Sequence, residues 1–279
     1  MLIKKLLSAA RTSRETLSLP QPDYPLELEQ RLSGLHGRAD VRRHLDVLYG
    51  DVSIGAERFT DLYFRCLEDT GTAVTPFNVF QRFQTRNDLV RYFLQTLDVP
   101  GARVECGAYR GATALLLCRT WRSVNAAFDG DQFFLIDSFS GTSTSTHADF
   151  IPVRDASGQA SMQPFFPPGK TDVKAADVRG YFSEFPRARV LEGWIPDVFS
   201  QVPPTPWAFV HLDLTLYEAT LRALEYFYPR LSPGGVLICD GSIFCPGAQK
   251  AVDDYSGAHD VPYVTLGHRE AVFIKPSRS

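Results

Sequence analysis

The sequence contains no block of like charges and no hydrophobic run long enough to cross a membrane. Its 29 lysine and arginine residues stand against 32 aspartate and glutamate residues, which leaves a net charge of -3. Proteins that bind nucleic acid or a membrane surface through charge concentrate basic residues, so this balance disfavours both classes. We therefore expect a small-molecule partner, with no nucleic acid and no membrane.

Cysteine is also scarce, and its placement excludes a disulfide framework. The number is odd, the positions are scattered, and most lie inside apolar runs, which predicts reduced, buried thiols and a cytoplasmic protein. The first ten residues, MLIKKLLSAA, are too short in apolar content for a signal sequence and are typical of a short amphipathic helix. The five cysteines are Cys66, Cys106, Cys118, Cys239 and Cys245.

Residues 1–74 have helical periodicity in RADVRRHLDVLYG and AERFTDLYFRCLED, separated from the N-terminus by the proline-rich turn LPQPDYP. We interpret them as a helical N-terminal appendage that serves as a lid or a dimer contact. A homo-oligomer is the expected assembly.

Residues 75–279 change from helix to an alternation of strands and helices, the pattern of a parallel sheet covered on both faces. The predicted fold class is α/β, with a doubly wound, mostly parallel sheet and a C-terminal antiparallel hairpin formed by VPYVTLG and EAVFIKP. Helices are predicted to begin near Gly111, Lys174, Leu216 and Ala248. The five predicted parallel strands are ARVECG, QFFLIDS, ARVLEG, WAFVHLD and GVLICDG.

A polar stretch rich in glycine, serine and proline, residues 139–170, follows the second of these strands. It shows no periodicity, and a loop of this length inside a compact domain is usually a lid or a disordered insert. We interpret it as a lid that carries His147.

Four of the parallel strands end in an acid, and ligands of open α/β sheets bind outside these carboxyl ends. The first of the four is followed by a turn in which three residues separate Gly107 from Gly111, with Glu105 just before them. This spacing differs from the dinucleotide fingerprint, and a carboxylate repels a pyrophosphate but attracts a cation. The turn favours a nucleoside that carries positive charge, such as S-adenosylmethionine; the alternative is that both glycines only permit close packing. The four acids are Glu105, Asp137, Asp213 and Asp240.

Asp137, about thirty residues after the turn, is placed to accept hydrogen bonds from two ribose hydroxyls. Phe139 could then lie against the adenine ring. The alternative is that Asp137 is a loop acid that caps the following turn.

From about Thr75 to about Tyr255 the sequence resembles the macrocin O-methyltransferase family, which methylates sugar hydroxyls of macrolides and related natural products. The resemblance lies in TPFNVFQRFQTRNDLV, VECGAYRGATALLL, LIDSFSG, VLEGWIPDVF, HLDLTLYEATLRALEYFYPRLSPGGVLICDG and CPGAQKAVDDY. It implies the class I, Rossmann-like methyltransferase fold and S-adenosylmethionine as the methyl donor. The cofactor residues that it implies are Glu105, Gly107, Tyr109, Arg110, Gly111, Asp137, Ser138, Phe139, Trp194 and Asp197.

The resemblance also implies a magnesium ion held by Asp213 and Asp240 beside the acceptor hydroxyl. The chain departs from the family here, because Thr215 and Gly241 stand where the family usually has further acids. One or two carboxylates with water can still hold magnesium, so the use of a metal stays open.

The expected function is S-adenosylmethionine-dependent O-methylation of a sugar or another small natural product. Asp213 is the first candidate for the base, and His147 and His211 are the alternatives if no metal is used. Two other functions stay open: methylation of nitrogen or carbon, or another reaction, at a degenerate metal site, and a non-catalytic partner subunit that binds the cofactor.

Overall fold

The computed structural model describes residues 52–54, 57–74, 76–154, 159–166, 168–169, 171–240, 245–267 and 270–277. The predicted helices within residues 1–51 lie outside this part of the chain. The helices are α1 Phe59–Asp69, α2 Pro76–Gln95, α3 Ala112–Val124, α4 Ala175–Tyr181, α5 Tyr217–Phe227 and α6 Pro246–His259. The strands are β1 Ser53–Ile54, β2 Glu57–Arg58, β3 Ala102–Cys106, β4 Phe133–Asp137, β5 Phe150–Arg154, β6 Ala160–Pro164, β7 Arg189–Glu192, β8 Trp207–Leu212, β9 Leu231–Cys239, β10 Val264–Thr265 and β11 Ala271–Ile274.

Seven strands form the main sheet in the order β10-β11-β9-β8-β3-β4-β7. The five from β9 to β7 are parallel, and β11 and β10 close the edge as an antiparallel hairpin. This confirms the predicted α/β class, the five parallel strands and the hairpin. The strand order reverses between β3 and β8, and such a reversal opens a crevice at the carboxyl ends of the strands.

The sheet is buried on both faces because alternate side chains of each strand enter different hydrophobic clusters. Within β4, Phe133 and Leu135 join the cluster beneath α1 to α4, whereas Phe134 and Ile136 join the cluster beneath α5 and α6. Near-continuous apolar strands are what this double burial requires, and the sequence supplies them.

Helix α1, in the predicted appendage, packs on the domain. Its buried Phe59, Phe64 and Leu67 belong to the same cluster as Phe93 of α2 and Leu117 of α3. The helix begins three residues later than the periodic stretch, because Glu57 pairs with Ile54 in the short hairpin of β1 and β2. A role of residues 1–74 as a lid or dimer contact stays a prediction.

The polar stretch after β4 contains more structure than the sequence predicted. Strands β5 and β6 pair as an antiparallel hairpin, and a 3-10 helix spans His147–Asp149. Buried Asp149 accepts a hydrogen bond from the backbone amide of Tyr217, 2.7 Å away, which fixes the segment to the start of α5. The interpretation as a loop without secondary structure was therefore wrong for the described part of this segment.

All five cysteines are buried free thiols, as predicted. Burial raises the pKa of Cys66 to about 12, which keeps that thiol protonated and unreactive. Among the helices that the structure describes, none has the length and apolar character needed to span a membrane.

Candidate functional site

The glycine turn connects β3 to α3 at the point where the strand order reverses. Gly107 has a φ of +84°, and a Cβ there would lie 2.1 Å from the carbonyl oxygen of Asp213. Gly111 has a φ of +78°, and a Cβ there would lie 2.9 Å from the ring of Phe182. Both glycines are therefore required by backbone conformation and close packing, as in the alternative raised above. Their contact with a cofactor stays a prediction.

Asp137, at the end of β4, joins this turn to the loop that follows the strand. One carboxylate oxygen accepts the amide of Tyr109 at 2.8 Å, and the other accepts the amide of Phe139 at 2.7 Å. Both of these residues have positive φ, near +49° and +48°, so the carboxylate stabilises two strained turns. Burial raises the pKa of Asp137 against these two hydrogen bonds. Each oxygen retains a lone pair that can accept a hydroxyl.

Two neighbouring loop residues shape the wall beside Asp137. The Ser138 hydroxyl donates to the carbonyl of Gly141 at 3.0 Å and accepts the amide of Ser140 at 3.2 Å, which closes a tight turn. Phe139 is 8% exposed and belongs to the core cluster beneath α1 to α4. Its predicted contact with adenine stays a prediction.

Tyr109 and Arg110 tie the glycine turn to two distant segments. The Tyr109 hydroxyl and the Arg110 guanidinium bind the two oxygens of Asp172, at 2.9 and 2.6 Å. Arg110 also donates to the carbonyl of Thr70 at 3.4 Å, just after α1. The Tyr109 ring stays 42% exposed, so it can still face a ligand.

Trp194 and Asp197 follow β7, on the far side of Asp137. The backbone amide of Gly193 donates to the Asp137 carbonyl at 2.9 Å, which holds this segment beside the end of β4. The Trp194 ring is 42% exposed, and Asp197 begins the 3-10 helix Asp197–Gln201. The exposed indole of Trp194, on a segment held beside the half-buried Asp137, is a suitable surface for a nucleoside.

Glu105 does not lie open at the edge of the sheet. It pairs in register with His211 of β8, and one carboxylate oxygen is 3.0 Å from the His211 Nδ1 atom. Burial disfavours the charged imidazolium, but the carboxylates of Asp240 and Glu105 outweigh it and raise the pKa of His211 to about 9. Both side chains are almost fully buried, so His211 is placed as an interior ion-pair partner. A direct contact of Glu105 with a cofactor stays a prediction.

Asp213 and Asp240, at the ends of β8 and β9, meet two arginines of α2. The Asp213 carboxylate accepts hydrogen bonds from Arg82 at 2.7 Å and from Arg86 at 2.9 Å. Arg86 donates with its other terminal nitrogen to Asp240. The Arg86 guanidinium therefore bridges the two acids with two different N–H groups.

This arrangement sets the charge state of both acids. Burial alone raises a carboxyl pKa, but the guanidinium groups of Arg82 and Arg86 outweigh it and hold the pKa of Asp213 below its usual value. The same balance, with Arg86 as the main opposing charge, lowers the pKa of Asp240. Both aspartates are thus ionised at neutral pH and are weak proton acceptors.

These residues do not fit a divalent cation. The Arg86 guanidinium lies within hydrogen-bonding distance of both predicted ligands and supplies the positive charge that an ion would supply. Thr215 and the Asp240-Gly241 pair remove two carboxylates from the set that the family resemblance implies. Across the described residues, no group of three or more histidine, cysteine, aspartate or glutamate side chains could hold a metal ion.

His147 is an exposed residue of the predicted lid, where its ring stacks on Phe150 with centroids 6.4 Å apart. Asp149, two residues later, binds the amide of Tyr217 four residues beyond Asp213. The segment therefore lies near the acidic strand end, while a catalytic role of His147 stays a prediction.

Sequence reasoning missed Arg82 and Arg86. Their i, i+4 spacing in RFQTR was a usable signal, because two arginines on one face of a helix repel each other unless acids face them. It also missed Asp172, which no pattern near the polar segment distinguishes from a solvated loop acid.

A family model described as macrocin O-methyltransferase matches residues 78–266, more than half of the chain. The chain belongs to the macrocin O-methyltransferase family. The match covers every strand of the main sheet except β11, together with the glycine turn, Asp137 and both strand-end aspartates. It confirms the resemblance that the sequence motifs indicated.

Two curated relatives are similar over the same region. A demethyldecarbamoylnovobiocin O-methyltransferase of Streptomyces niveus is 30% identical over 173 residues, which are 59% of this chain and 61% of the relative. A tetracenomycin-pathway rhamnosyl 4'-O-methyltransferase of Streptomyces olivaceus is 31% identical over 189 residues, 63% of this chain and 67% of the relative. The matched region thus spans 61% of the first relative and 67% of the second.

Two solved structures share the fold. The O-methyltransferase NovP is 22% identical with a TM-score of 0.52, over 91% of this chain and 100% of that chain. The calicheamicin methyltransferase CalS11 is 20% identical with a TM-score of 0.54, over 77% of this chain and 91% of that chain. At this identity the likeness shows the class I methyltransferase fold alone.

Proposed function

We propose that the protein is an S-adenosylmethionine-dependent O-methyltransferase that acts on a hydroxyl of a sugar or another small natural product. The observation that carries the proposal is the family match across the whole strand-end edge, from the glycine turn to Asp240. The two curated relatives are named as O-methyltransferases of demethyldecarbamoylnovobiocin and of a rhamnosyl-tetracenomycin, which supports a small natural product as the acceptor.

The cofactor residues that we propose fit a nucleoside at the carboxyl ends of β3, β4 and β7. Asp137 has free lone pairs for the ribose hydroxyls, and the exposed Tyr109 and Trp194 lie on the two segments whose backbone is hydrogen-bonded to Asp137. When bound, S-adenosylmethionine supplies a methyl group on a sulfonium centre. The two hydrogen bonds that fix Asp137 keep its carboxylate preorganised, so little ordering cost remains for binding.

We propose that the Asp213 carboxylate accepts a hydrogen bond from the hydroxyl that is to be methylated and so orients it. Its lowered pKa makes it a poor base toward a free alcohol. An alcohol oxygen that has gained an alkyl group is a strong acid, however, so a weak carboxylate base suffices if proton transfer accompanies or follows formation of the C–O bond. Alignment of the hydroxyl is then the main contribution of the protein, and such alignment is worth roughly 7–11 kcal/mol at best.

Calorimetry with S-adenosylmethionine and S-adenosylhomocysteine tests the cofactor assignment. We expect both compounds to bind. If neither binds, the cofactor assignment is refuted. Incubation with glycosylated aromatic and macrolide acceptors, followed by mass spectrometry, tests the reaction: a gain of one methyl group on a sugar oxygen is expected. A product methylated on nitrogen or carbon would contradict the proposal, and Asp213→Ala should remove most of the turnover.

A homo-oligomer in a reducing compartment completes the proposal. Light scattering of the full chain and of a truncation that begins at Val52 would show whether residues 1–51 mediate association. The truncation should not begin at Thr75, because Phe59 and Phe64 of α1 are part of the buried core. If the measured mass gives the same number of protomers per particle for both proteins, the N-terminal segment is excluded as the contact.

A further inference from the structure

The two strand-end acids are already neutralised by a positive group that the chain itself supplies. Arg86 is 3% exposed and bridges Asp213 and Asp240, whose side chains are 17% and 6% exposed. A cation bound between these acids would have to displace a guanidinium that is almost completely buried. Leaving that guanidinium buried without partners is strongly unfavourable.

We propose that Arg86 takes the place of a divalent cation at this site, and that methyl transfer in this protein proceeds without a metal ion. The inference rests on the proposed function for the reaction, but the replacement itself concerns only the charges at the strand ends. The loss of two acids at Thr215 and Gly241 fits it, because a single guanidinium needs fewer negative partners than a hydrated divalent ion.

Arg82 adds a second positive charge at the same strand ends. Its side chain is 50% exposed, although one terminal nitrogen donates to Asp213 and lies 3.8 Å from Asp240. A guanidinium carries five N–H donors in a planar fork, so Arg82 retains donors for an incoming oxygen. These donors would be available to the oxygen of an acceptor that hydrogen-bonds to Asp213.

Mn²⁺ binding, followed by electron paramagnetic resonance, tests the replacement without any acceptor or cofactor. The wild-type protein is expected to leave Mn²⁺ free. Arg86→Ala removes the bridging charge and exposes both aspartates to the ion, so it is expected to bind Mn²⁺ at least about tenfold more tightly than the wild type. Adding Asp213→Asn to Arg86→Ala should abolish the gain, and Arg222→Ala, which removes an arginine paired with Glu218 elsewhere, should leave the wild-type result unchanged.

Each outcome decides the proposal. Tight Mn²⁺ binding by the wild type that Asp213→Asn removes would overturn it, because the arginine would then not exclude the ion. An Arg86→Ala protein that folds and still does not bind Mn²⁺ would overturn it as well. If Arg86→Ala does not fold, Arg86→Gln carries the same test, because it also removes the bridging charge but keeps a polar side chain beside both aspartates. Calorimetric binding of S-adenosylmethionine is measured separately, so a failure of the proposed function stays distinguishable.

Discussion

The two halves of the strand-end edge hold their acids in different ways. At the end of β4, both oxygens of Asp137 accept backbone amides, and within the described residues no arginine side chain donates to it. At the ends of β8 and β9, Asp213 and Asp240 accept arginine side chains instead. The first half can still accept a neutral polyhydroxylated ligand, whereas the second has its charge balanced within the protein.

This difference indicates which part of the site follows the family pattern and which part has changed. Asp137 accepts backbone amides from two loops and cannot be replaced without disturbing both, so this part of the edge is constrained by the fold itself. The strand-end pair has only to keep its charge balanced, and a guanidinium can do that as well as an ion.

Arg86→Ala is expected to lower the free energy of unfolding by about 3–5 kcal/mol, because it leaves two buried carboxylates without their shared partner. Arg222→Ala is the matched control, since its ion pairs with Glu218 and Glu225 are surface contacts worth at most about 1 kcal/mol. Urea denaturation measures both. Equal losses in the two variants would show that the arginine of α2 is not an essential counter-charge.

Gly107→Ala is expected to cost about 2–3 kcal/mol of unfolding free energy, because the new Cβ meets the Asp213 carbonyl oxygen at 2.1 Å and the φ of +84° is strained for alanine. Gly180→Ala in α4 is the control. It has no atom within 4 Å of an added Cβ and is expected to gain up to about 1 kcal/mol from helix propensity. A Gly107→Ala protein as stable as the wild type would contradict the close approach of the two strand ends.

The sequence predicted the strands and the turn around Asp137 well and the partners of Asp213 and Asp240 poorly, for a physical reason. The strands, the turn and Asp137 follow from local patterns, since a buried parallel strand is an apolar run and its end is marked by glycine or an acid. The partners of Asp213 and Asp240 come from α2, more than a hundred residues away, and their contact depends on how that helix packs. The hairpin of β5 and β6 was missed because its strands contain prolines and lack a clear alternation.

Asp137→Asn is expected to weaken S-adenosylmethionine binding about 10- to 100-fold, the equivalent of one or two hydrogen bonds to a charged group. The amide can keep only one of the two acceptor oxygens that bind the amides of Tyr109 and Phe139. Asp131→Asn, before β4 and paired with Arg187 at the surface, is the control and should leave the affinity unchanged. Calorimetry compares the two, and an unchanged affinity in Asp137→Asn would remove it from the cofactor site.

Glu270 is a third carboxylate near Asp240, and within the described residues no arginine is hydrogen-bonded to it. It gives the smallest expected effect. It is 2% exposed, and within the described structure neither of its oxygens has a hydrogen-bond partner. Burial, with a contribution from Asp240, raises the pKa of Glu270 to about 7 from the ordinary 4.5. The folded state therefore holds a proton that the unfolded state releases, and stability falls as the pH rises from 4.5 to 7.

Glu270→Gln removes this titration. The variant should be more stable than the wild type above pH 7 by about 1 kcal/mol, less than the full pKa shift implies because the buried amide also lacks partners. The difference should vanish below about pH 3.5, about one unit under the unfolded-state pKa of 4.5, where the carboxyl is protonated in both states. Denaturation at both pH values checks the sign. A variant less stable than the wild type at high pH would mean that the ionised carboxylate is paired after all, and that the arginines of α2 serve three acids instead of two.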